Sequence, residues 1–99
     1  MADNKWRKEG ALAVDEAATD WLVFQNAERR HFFSVFISGT YDGTVVAEIR
    51  EVPGGPIVVT ETFTANAEVT KIGEFTGSFE VRLRMDQYTS GTANVAIRK

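Results

Sequence analysis

The sequence predicts an all-β domain made of antiparallel strands. Three observations predict it. Apolar and polar residues alternate with period two in several segments, strand-sized runs recur roughly every 8–12 residues between turn signals, and no helical stretch separates them. The clearest segment is 78–85, where Phe79, Val81, Leu83 and Met85 alternate with Ser78, Glu80, Arg82 and Arg84. Period two sends the first set to a core and the second to solvent. A helix would scatter those charges over every face. Parallel sheets need long crossovers, so the strands are read as antiparallel.

The elements follow in order. Residues 1–10 read as an extended N-terminal arm, polar, centred on Trp6 with Lys5, Arg7 and Lys8 around it, and closed by Gly10. An acidic, Ala-rich stretch, 15–20, allows a short helical turn across 15–19, because Ala and Glu favour helix. The aromatic and aliphatic run 21–24 fits a buried strand, and 26–30 a polar loop. Residues 31–40 form a strand rich in Phe, Val and Ile. Neighbouring Phe32 and Phe33 cannot share a face. That strand is therefore either covered on both sides or exposes an apolar stripe.

Tyr41-Asp42-Gly43 supplies a turn, since Asp-Gly tolerates positive φ. Segment 44–52 alternates, with Val45, Ala47 and Ile49 on one side. Pro53-Gly54-Gly55-Pro56 interrupts the ladder and forces a loop. Segments 57–64, 92–99 and, as a short edge, 69–72 complete about seven strands, with 86–91 as a loop. The expected architecture is a single antiparallel β-sandwich, immunoglobulin-like or jelly-roll-like, over 11–99, with the arm at 1–10. Gly43-Thr44 with Ile49-Arg50 is echoed by Gly91-Thr92 with Ile97-Arg98; similar strands starting after similar turns account for it.

Composition bounds the function. The chain has 99 residues, one modest domain with a thin core. Its net charge of −3 supplies no basic stripe for nucleic acid. No cysteine is present, which removes disulfides, thiolate nucleophiles and zinc-thiolate sites. No run approaches the ~20 apolar residues of a membrane helix, and no apolar targeting core follows the N-terminal cations.

Chemical motifs are sparse. His31 stands alone beside Arg29 and Arg30, a poor setting for a metal ligand, and reads as a polar residue opening a strand. Asp15, Glu16 and Asp20 lack the spacing of a calcium loop and read as a solvated turn. The glycines at 54–55 precede a strand rather than a helix and have no Lys-Ser/Thr behind them, so they do not make a phosphate loop. Arg50, Arg82, Arg84 and Arg98 fall on outer strand faces, where Glu48, Glu51 and Glu80 are available for cross-strand pairing; the alternative is an arginine-rich interface. These features point to a binding protein rather than an enzyme, with no cofactor and no metal.

Three stretches, Ser38-Gly39-Thr40-Tyr41-Asp42-Gly43-Thr44-Val45-Val46, Glu61-Thr62-Phe63-Thr64-Ala65-Asn66 and Tyr88-Thr89-Ser90-Gly91-Thr92, occur in that order between Phe32 and Ile97. Together they resemble the small β-sandwich structural proteins of tailed bacteriophages. The resemblance implies a non-catalytic virion protein, assembled in the host cytoplasm. The first expectation is a decoration or cement protein bound to the capsid shell; the second is a tail or head–tail joint component. It implies capsid or other virion proteins and further copies of the chain as partners, with no nucleic acid, membrane or small-molecule substrate. A host-facing carbohydrate or adhesion module is the reading of a different class, resting on Trp6, Tyr41 and Tyr88. The candidate partner-binding residues are Lys5, Trp6, Arg7 and Lys8 on the arm, with Tyr41, Asp42, Pro53, Pro56 and Tyr88 on turns.

Overall fold

The computed structural model describes residues 6–25, 31–73, 75 and 77–99. Six strands form one antiparallel sheet: β1 (Arg7–Leu12), β2 (Leu22–Phe24), β3 (Phe32–Glu51), β4 (Val58–Phe63), β5 (Ala67–Ile72) and β6 (Phe79–Arg98). The two 20-residue strands, β3 and β6, pair with each other along most of their length and carry the rest. Each half of each long strand then has one outer neighbour. β2 lies beside the first half of β6 and β1 beside its second half; β5 lies beside the first half of β3 and β4 beside its second half.

This arrangement has an approximate two-fold character, in which the unit β1–β2–β3 corresponds to β4–β5–β6. The echo at Gly43-Thr44 and Gly91-Thr92 is one piece of it. Corresponding pairs Phe33/Val81, Val35/Leu83, Ile37/Met85, Val45/Ala93, Ala47/Val95 and Ile49/Ile97 are all buried. One core cluster joins residues from both halves of the sheet. Phe24 stacks on Phe79 at 4.8 Å and meets Phe33 edge-on at 6.5 Å, so an aromatic cluster ties β2, β3 and β6 together.

Several sequence expectations change. Six strands are found among the described residues instead of about seven, because two expected turns lie inside long strands, which merges four expected strands into two, and Arg7–Leu12 adds one. Tyr41-Asp42-Gly43 and 86–91 face each other at the middle of the β3–β6 ladder, where the register shifts between Asp42 and Thr44. The extra residues on β6 are absorbed as a bulge, with Gln87 at φ 51 and Gly91 at φ 84. Cross-strand pairing on either side keeps both chains extended, so the Asp-Gly pair bends the sheet without reversing it. Part of the expected arm is sheet instead: Arg7–Leu12 is strand β1, paired with β6 from Arg7↔Arg98 to Leu12↔Ala93, and residues 1–5 lie outside the described residues. The 15–19 segment is a turn, not a helix.

The 31–40 question resolves toward an apolar stripe. Phe33, Val35 and Ile37 are buried, while Phe32 is exposed and Phe36 half-buried on the outer face. No helix among the described residues is long and apolar enough to cross a membrane.

Candidate functional site

The outer face of the first half of β6 and the second half of β3 is where arginines gather. Glu48 and Glu80 are buried there, and period-two geometry places them among Arg50, Arg82 and Arg84. Glu48 accepts from Arg82 Nε at 2.8 Å and from Arg84 Nε at 2.9 Å. Arg50 donates to Glu80 across the ladder. Arg84 Nη1 extends the network to Glu16 at 3.1 Å and Asp86 at 3.5 Å. Burial opposes the Arg84 charge, but its bonds to Glu48 and the nearby Glu16 and Asp86 outweigh that and hold its pKa above the ordinary guanidinium value. The Trp21 ring lies 4.2 Å from the Arg50 guanidinium and 4.4 Å from that of Arg82. These arginines are thus engaged within the chain, as the cross-strand reading expects, and are not a free interface.

The carboxylates of Asp15, Glu16 and Asp86 lie within 4.8 Å of one another. Asp86 takes the place that the sequence reading gave to Asp20. Arg84 already supplies positive charge to this group. His31 packs its ring edge-on against Phe79 at 5.4 Å, a structural role at the start of β3.

The sequence-chosen binding residues do not form one surface. Lys5 lies outside the described residues. Trp6 is 66% exposed, and its carbonyl accepts a hydrogen bond from Lys99 N at 2.9 Å. Arg7 and Lys8 are on β1, beside the far end of β6. Tyr41, Asp42 and Tyr88 lie instead at the mid-sheet bulge. Tyr41 packs against the core with its hydroxyl buried, and burial pushes its pKa up. Tyr88 also packs against the core and donates from its hydroxyl to Gly91 O at 2.9 Å. Pro53 and Pro56 are exposed in the link between β3 and β4, with a cis bond at Val52-Pro53. Trp6 and the two tyrosines therefore sit at different ends of a half-sheet and make no shared stacking platform.

A surface that residue-by-residue reading missed lies on the outer face of the other half-sheet. Phe32, Ser34, Thr70, Arg98 and Lys99 line a groove of about 360 Å³. Register assembles it: Phe32 faces Ile72, Ser34 faces both Thr70 and Arg98, and Arg98 faces Arg7. The exposed half of the double Phe at 32–33 was the signal in the sequence; β5 as its neighbour was not. Compared with known proteins, the chain matches no family model and no curated protein.

Proposed function

We propose that this chain is a non-catalytic structural protein of a virion, working as a decoration protein that attaches in many copies to a capsid shell. In this reading the bent sheet serves as a small β-sandwich whose rigid body carries its contacts at the surface. The observation that carries the proposal is the distribution of unsatisfied surface. The charged outer face around Glu48 is paired internally, whereas Val14, Phe32, Ile57, Val58, Val59 and Ile72 are large apolar residues left exposed. Exposed apolar residues on a rigid scaffold favour association with other protein surfaces. The resemblance of the stretches at 38–46, 61–66 and 88–92 to phage structural proteins suggests the virion setting, and a lattice multiplies weak contacts by avidity.

The test uses particles purified from the source of the chain. Added protein is expected to co-sediment with them and to decorate them in immunoelectron microscopy. A chain that stays in the supernatant and labels neither head nor tail would refute the proposal. Labelling confined to the tail or the joint would move the site without changing the class.

A further inference from the structure

Two exposed regions have complementary character. The first is the groove on the outer face of β5, β3 and β6. Its floor is a row running Arg98, Ser34 and Thr70 across three strands, and Arg7 stands next to Arg98 in register on β1. The Ser34 and Thr70 hydroxyls are 3.4 Å apart. No carboxylate pairs with Arg98 among the described residues; its guanidinium rests 5.7 Å from the Phe36 ring. Its neighbour across the ladder is Arg7, which donates to Glu9 at 3.3 Å. Phe32 and Ile72, 48% and 66% exposed, form an apolar wall beside the row.

The second region is the turn that follows β1. Val14 is 60% exposed and is followed directly by Asp15 and Glu16. The turn is held tightly. Ala17 N donates to Val14 O at 3.3 Å, Glu16 N to Met85 O at 3.0 Å, and Met85 N to Ala17 O at 2.8 Å. Tyr88 N donates to Asp15 Oδ1 at 3.3 Å. Glu16 adopts φ 68, a left-handed conformation that a non-glycine residue keeps only when its surroundings impose it. With Asp86, three carboxylates gather here against the one guanidinium of Arg84. The result is an exposed aliphatic side chain on a rigid mount beside excess negative charge.

We propose that the 14–16 turn of one copy docks in the Phe32–Arg98 groove of the next copy. Val14 packs against Phe32 and Ile72, and the Asp15 and Glu16 carboxylates face Arg98 and the Ser34 and Thr70 hydroxyls. Because the two surfaces differ and each copy has one of each, a turn and a groove engaged by different neighbours make a head-to-tail contact that propagates into a ring or filament. The inference rests on the reading of the chain as a self-associating component and names the two surfaces involved. Each exposed ion pair contributes little alone, so a single contact is weak and sensitive to salt.

Sedimentation velocity on the full chain tests it. At low salt the wild type is expected to form species that grow with concentration and dissociate in high salt. R98E and V14D are each expected to weaken association about tenfold or more, the effect of losing one good contact. Mixing R98E with E16K is expected to restore it, since the reversed turn then meets the reversed groove. Matching circular dichroism and cooperative unfolding establish that each variant is folded. A wild type that never associates, an R98E that associates like wild type, or a mixture no better than its components overturns the proposal. Salt-sensitive association by a chain that never labels particles would instead refute the virion reading and leave this contact standing.

Discussion

Glu48 shows how one residue organises a face. Its side chain is 6% exposed and binds two arginines from the neighbouring strand. Removing one member of a buried ionic group leaves the others desolvated without compensation, so Glu48→Ala is expected to cost about 3 kcal/mol. Urea unfolding of the variant measures it. Tyr41 makes the opposite case. Its hydroxyl is buried and finds no partner among the described residues, so Tyr41→Phe removes an uncompensated polar group and is expected to leave stability unchanged or raise it by up to about 1 kcal/mol. A drop in the unfolding midpoint for that variant would show that the hydroxyl is in fact used.

Glu61 carries a pH dependence. Its hydrogen bond to Lys71, at 2.6 Å, is the chief cause that holds its carboxyl below the ordinary range. A depressed folded pKa contributes stability above the unfolded value and loses it as pH falls through the folded value. The wild type should therefore exceed Glu61→Gln by a constant margin at neutral pH, and the margin should shrink below the usual carboxylate range. Thermal unfolding of both proteins against pH checks the sign.

At the scale of elements, the mid-sheet bulge is the decisive feature. Gly91 has φ 84, and a Cβ there would run into the Thr40 carbonyl on the facing strand. Gly39, at φ 108, would bring a Cβ to 2.6 Å from the Thr92 carbonyl. Both glycines lie on one side of the bulge, where 34–42 pairs with 90–98, and let β3 and β6 approach there. Gly91→Ala combines a disfavoured φ with a backbone clash, and a loss of about 2–3 kcal/mol is expected from chemical denaturation.

Segments 44–51 and 79–85 were legible from period two. Phe79, Val81, Leu83 and Met85 are all fully buried, as are Val45, Ala47 and Ile49. The arginine–glutamate pairing was legible for the same reason, since cross-strand partners follow from which face each residue occupies. What local reading could not see was pairing at long range. Asp42-Gly43 has the chemistry of a hairpin turn, yet the opposing segment of β6 is long enough to absorb the irregularity. Arg7 to Gly10 has the composition of a tail, yet the edge of β6 gives its backbone hydrogen-bond partners. The candidate groove was hidden likewise, because Phe32, Thr70 and Arg98 meet only through register.

At the scale of the whole molecule, the approximate two-fold correspondence yields a sheet with two unlike flanks. On one flank Leu12, Thr19, Leu22 and Phe24 are buried. On the other, no residue of β4 or β5 is fully buried, and Val58, Val59 and Ile72 remain well exposed. A fold that closes one flank with its own chain and leaves the corresponding flank apolar is suited to being completed by neighbours. In the docking proposed above, the acidic turn and the Arg98 groove would add direction to such contacts, because each is complementary to the other and not to itself.

On the function proposed above, this protein acts by associating in multiple copies. Light scattering on the purified full chain, at rising concentration and at low and high salt, tests it most directly. The expected molar mass climbs above the 11.0 kDa of one chain with concentration and falls back when salt screens the contacts. A mass that stays at one chain under every condition would contradict it.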